Sequence, residues 1–84
     1  MDKNVDNYCL AEELEMDFIL EFASLRHSLG LTQKEMALKS GVLRDKIAKI
    51  EAGLFSPNIS SLFKILGPLG YTIKIEKIEE DFYE

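Results

Sequence analysis

Apolar residues recur at helical spacing through most of this chain. Leu14, Phe18, Phe22, Leu25 and Leu29 are separated by four, four, three and four positions, which makes one stripe on a helix beginning near Ala11. Residues 1–10 carry no such period and read as a flexible N-terminal segment. Gly30 follows the stripe as a helix-ending residue. Thr32-Gln33-Lys34-Glu35 has the form of a capping box and predicts a second helix from Gln33 to about Lys39, stopped by Gly41. A third helix is predicted over about Leu43–Glu51, with Ile47 and Ile50 inward and Gly53 past its end. Asn58 is placed to cap a fourth, bearing Ile59, Leu62, Phe63, Ile65 and Leu66. Gly67-Pro68 predicts a kink or an early end, because a proline inside a helix removes a hydrogen bond and clashes with the preceding turn. The expected core is Leu14, Phe18, Phe22, Leu25, Met36, Ile47, Ile50, Leu62, Ile65 and Leu66.

After Gly70 the period changes to two. Tyr71, Ile73 and Ile75 alternate with Thr72, Lys74 and Glu76, so residues 71–78 read as a β-strand. One strand alone leaves its backbone groups unpaired, and the rest of the chain offers no second strand. The same strand of another copy is the simplest partner, which predicts a homodimer. The alternative is an extended arm packed on the chain's own helices. Residues 79–84 form an acidic tail. The expected organisation is therefore a flexible segment (1–10), a helical domain (11–70), a dimerising strand (71–78) and the tail (79–84).

Composition narrows the class. The 84 residues suit one small domain, and 46% hydrophobic with 30% charged residues suits a folded chain rather than a disordered one. No apolar run approaches the roughly 20 residues that span a bilayer, and the acidic first residues do not resemble a signal peptide, so a cytoplasmic protein is expected. Cys9 and His27 are the only residues of their types; neither has a partner for a disulfide, a metal site or an activated thiol. With no phosphate-cradling glycine loop and no Ser-His-Asp set, neither an enzyme nor a cofactor is expected.

The formal net charge is −5, which taken alone argues against non-specific nucleic-acid binding. Its distribution changes that reading. Residues 1–24 carry seven acids and one lysine, and residues 71–84 carry five acids and two lysines. Between them, residues 32–55 carry Lys34, Lys39, Arg44, Lys46 and Lys49 against Glu35, Asp45 and Glu51. The middle is basic and both ends are acidic.

The basic stretch is a short helix, a glycine turn and a second helix. Helices crossing over so tight a turn need a small residue at the contact, here Ala37, a turn residue without Cβ strain, here Gly41, and apolar anchors, here Ile47 and Ile50. With Leu25-Arg26, the Thr32-Gln33 start, Ile50-Glu51, Gly53, Pro57 and the Leu-Gly ending at Gly70, residues 24–70 resemble the helix-turn-helix domain of XRE/Cro-type repressors. The resemblance implies an all-α, five-helix lambda-repressor-like DNA-binding domain, with the short C-terminal β-strand pairing across a dimer. The long first helix and the strand-like end are also similar to antitoxins of the HigA and HipB types. That likeness implies a dimer on a palindromic operator, autorepression, and a basic cognate toxin as partner.

The same resemblance assigns roles. Arg44, Asp45, Lys46 and Lys49 take the groove-facing positions of the recognition helix. Arg44 and Lys46 suit guanine or phosphate, and Asp45 suits either cytosine or a neighbouring lysine. Gln33 takes a phosphate-contacting position at a helix N-terminus, with Lys34 beside it. Arg26 and Glu51 take the positions of an internal salt bridge. Four residues depart from the pattern. Leu43 stands where Ser or Thr usually caps the recognition helix, and either contacts a thymine methyl or packs inward. Leu54 and Phe55 occupy a loop that is often polar, wedged into the core or facing a partner. Pro68 is unusual in the last helix. The acidic ends, residues 2–22 and 79–84, also support a second reading, an interaction module that covers a basic protein.

Overall fold

A computed structural model describes the backbone of residues 2–78 and the side chains of residues 10–78; the acidic tail, residues 79–84, lies outside them. Four helices run in order: α1 (Asp2–Ser28), α2 (Gln33–Ser40), α3 (Arg44–Glu51) and α4 (Ile59–Leu66), followed by one 3₁₀ turn at Gly67–Leu69. α1 therefore begins within the segment expected to be flexible. Once a helix is anchored, each further residue adds a hydrogen bond without new nucleation. At 27 residues, α1 measures about 40 Å and accounts for most of the 44 Å long dimension.

The helix boundaries are built from local caps. Thr32 Oγ1 accepts from the Glu35 amide at 3.0 Å while Glu35 Oε1 accepts from the Thr32 amide at 2.9 Å, closing the capping box. Gly41 ends α2 in the left-handed conformation at φ 75°, donating to the Ala37 carbonyl. Asn58 Oδ1 accepts from the Ser61 amide at 2.8 Å and starts α4. Leu43 precedes α3 with no side-chain cap bond.

α2 packs on α3 and α4, and α1 on α3. Phe22, Met36, Ile47, Ile50, Ile65 and Leu66 form the buried cluster, so every helix contributes to it. Ile19 is also buried, although the expected stripe passes it by, whereas Leu14 is 40% exposed. The covered face of α1 is centred on Ile19, Phe22 and Arg26, and Leu14 lies N-terminal to it.

Two expectations about the last third are not met within the single chain. Five helices are expected, and the described residues hold four α-helices and a 3₁₀ turn. Pro68 has no N–H to continue the α-helical ladder, so α4 stops at Leu66 and the tighter turn takes over. A strand is expected at 71–78, and the described residues contain none. A strand is defined by its ladder, and no other described segment pairs with this one, which instead runs beside Phe18, Phe22 and Leu25 of α1 as an extended arm. Ile73 packs against the core cluster, while Tyr71 is 45% exposed and Ile75 fully exposed.

Candidate nucleic-acid interface

The helix-turn-helix pair is held by one buried charge cluster. Arg26 Nε donates to Glu51 Oε2 at 2.8 Å, and Arg26 Nη2 to Glu51 Oε1 at 2.9 Å, a bidentate pair joining the end of α1 to the end of α3. Arg26 Nη1 donates to the Leu31 carbonyl at 2.8 Å, in the turn shaped by Gly30 at φ 72°. Gln33 Nε2 donates to Glu51 Oε1 at 3.0 Å. Both charged side chains are only 9% exposed, and no buried side-chain N or O atom among the described residues lacks a partner. Burial alone would raise the Glu51 pKa; the hydrogen bonds from Arg26 and Gln33, with the charges of Arg26 and His27, outweigh it and hold the carboxyl below its ordinary value. The bond to Glu51 in turn raises the pKa of Arg26 against the opposing effect of burial.

With those charges committed inward, the remaining ones face out. A shallow cleft of about 670 Å³ lies between the end of α1 and the starts of α2 and α3, with Gln33, Lys34, Arg44 and His27 on its walls. Lys34 and Arg44 are exposed and Gln33 is half-buried. The Gln33 amide is oriented by its bond to Glu51, because only its nitrogen can face a carboxylate; its second N–H and its oxygen remain available. Further along α3, Asp45 and Lys49 pair at 3.2 Å on the exposed face, at 77% and 56% exposure, so Asp45 is engaged by its neighbour. Lys46 is half-buried, its Nζ 5.5 Å from the centroid of the Phe55 ring.

None of the six groove or phosphate candidates lies in the core. Arg44, Lys34 and Gln33 converge on one cleft, while Lys46 and Lys49 continue along α3. Leu43 is 76% exposed and does not pack inward. Leu54 is 78% exposed and outside the core, and Phe55 sits under Lys46 rather than wedging inward. The Leu31 carbonyl and the His27 ring, 3.3 Å from Arg26 Nη2, belong to the site's surroundings and were given no place there by the sequence, and Phe55, singled out there as a departure, was not linked to Lys46. Each is brought in by a loop or a helix end. Among the described residues no group of His, Cys, Asp and Glu side chains is placed to hold a metal ion. No described helix is long and apolar enough to cross a membrane.

The helix-turn-helix family model matches residues 22–75. An uncharacterized HTH-type transcriptional regulator of Haemophilus influenzae is 40% identical over 62 residues, covering 74% of this chain and 63% of the relative. A regulator of the same description from Methanothermobacter thermautotrophicus is 40% identical over 57 residues, covering 68% of this chain and 77% of the relative. A third, from Sinorhizobium fredii, is 35% identical over 49 residues, covering 58% of this chain and 64% of the relative. The match thus spans under two thirds of the first relative's own length. No solved structure matches the chain at a comparable level.

Proposed function

Because this chain belongs to the XRE-type helix-turn-helix family of transcriptional regulators, we propose that it binds a palindromic operator in the cytoplasm as a homodimer and represses transcription there. The observation that carries the reading is the split between committed and free charge. Arg26 and Glu51 are buried against each other, while Lys34 and Arg44 stand exposed on the cleft between the starts of α2 and α3. α3 fits a major groove, with Arg44, Asp45, Lys46 and Lys49 along its rim. Gln33 and Lys34, at the start of α2, suit the flanking phosphates. The exposed residues Tyr71 and Ile75, on either side of core-packed Ile73, support strand pairing between two copies. Binding to duplexes selected from a random pool, titrated against salt, tests the reading. The logarithm of affinity falls linearly with that of salt, by about 0.9 per phosphate neutralised. A flat response, or no binding near 50 mM salt, overturns it.

A second function is favoured by α1. Glu12, Glu13, Glu15, Asp17 and Glu21 are all exposed, with Met16 and Leu20 exposed among them. Together with the likeness of the flanks to HigA- and HipB-type antitoxins, this acidic, partly apolar face supports a role as an antitoxin that covers a basic toxin. Deleting residues 1–12 or 79–84 is expected to spare DNA binding and abolish neutralisation. Retained neutralisation after both deletions removes the acidic ends from that role.

A further inference from the structure

We propose that Leu43 and Arg44 act together as a base-reading pair, recognising a thymine next to a guanine in each half-site. The inference rests on the DNA-binding reading above and concerns what that interface recognises. Leu43 directly precedes α3 with φ −59° and ψ 140°, makes no capping bond, and is 76% exposed. A Ser, Thr, Asp or Asn at this position would bond the first free amides of the helix. The leucine does not, and it contributes nothing to the core. An exposed leucine alone needs no explanation. This one stands beside an exposed arginine at the end of the helix that enters the groove first.

The neighbouring side chains of α3 are otherwise engaged. Asp45 and Lys49 pair with each other, and Lys46 lies over Phe55. Among the described residues Arg44 has neither a hydrogen bond nor an ion pair, and it lines the cleft beside Gln33 and Lys34. The leading end of the recognition helix therefore presents one apolar group and one planar guanidinium. Major-groove chemistry gives each a counterpart. Thymine is the base that displays a methyl group, and guanine O6 and N7 match a guanidinium fork. Adjacent Cα atoms are about 3.8 Å apart and successive bases along one strand about 3.4 Å, which is why the two side chains are assigned to neighbouring base steps.

The test selects bound sequences from a random duplex pool at about 50 mM salt and then replaces the selected thymine by deoxyuridine, which removes only the methyl group. The expected consensus holds thymine beside guanine in each half-site. Deoxyuridine is expected to weaken wild-type binding about fourfold, the factor to which about 0.8 kcal/mol for one buried methyl converts. Leu43→Ala is expected to bind both duplexes alike. Arg44→Ala is expected to lose preference for the guanine by about tenfold while remaining sensitive to deoxyuridine. A selected site without that step, or equal binding of thymine and deoxyuridine duplexes by the wild type, overturns the pair while leaving DNA binding intact. No enriched sequence at all overturns the DNA-binding reading itself. The wild-type deoxyuridine comparison decides the thymine contact independently of either variant's folding.

Discussion

Gln33 Nε2 donates to Glu51 Oε1 at 3.0 Å, so the residue that opens α2 is anchored on the residue that closes α3. Glu51 in turn holds Arg26 of α1 through both carboxylate oxygens. Three helices are thus tied at one carboxylate, and the cleft beside it carries Gln33 and Lys34, the proposed phosphate contacts.

Breaking the cluster is expected to be costly. Arg26→Ala or Glu51→Ala leaves a buried charge without its partner, a loss of about 3–5 kcal/mol by denaturant unfolding. Arg26→Met with Glu51→Leu is expected to cost far less than the sum of the two single losses. Additive costs overturn the coupling.

The same carboxylate sets an acid limb. The folded-state pKa of Glu51 is lowered, so its contribution to stability is fully present above its unfolded value, about 4.3, and is lost as pH falls through the folded value. Stability measured from pH 6 downward is expected to decline below about pH 4.3. Glu51→Gln is expected to flatten that decline. A wild-type slope retained in the variant assigns the acid limb to other groups.

Gln33→Ala and Lys46→Met test the phosphate contacts. Gln33→Ala is expected to weaken binding to all duplexes about equally, because phosphate contacts carry no sequence information. Lys46→Met is expected to reduce the salt slope by about one if the lysine reaches a phosphate from its place over Phe55. Phe55→Leu is expected to leave the slope unchanged. Filter-binding titrations at several salt concentrations read all three.

Leu43→Asp is expected to raise thermal stability by about 1 kcal/mol, since it supplies the cap α3 lacks. The same change is expected to impair operator recognition. A variant that gains stability and keeps full affinity removes Leu43 from the interface.

Ile75 tests the dimer. The side chain is fully exposed in the single chain, so Ile75→Pro has no core contact to lose. The wild type is expected to sediment at twice the monomer mass and the variant at the monomer mass, with helix content unchanged. A wild type that sediments as a monomer overturns strand pairing.

Much of the helical frame was legible in the residue order because its determinants act over a few positions. The Thr32–Glu35 box, the Gly41 turn and the Asn58 cap join groups three or four residues apart, and backbone amides at helix ends accept few other solutions. Pro68 announced the end of α4 for the same local reason. Tertiary structure decided what the side chains do once the helices meet. It buried Ile19 and left Leu14 out, because the partner helices cover only part of α1. It turned Leu43 outward and laid Lys46 over Phe55, contacts set by loop paths that no short spacing encodes. It also drew Gln33 onto Glu51 across 18 positions, where the pull of a buried carboxylate, rather than any periodicity, chooses the partner.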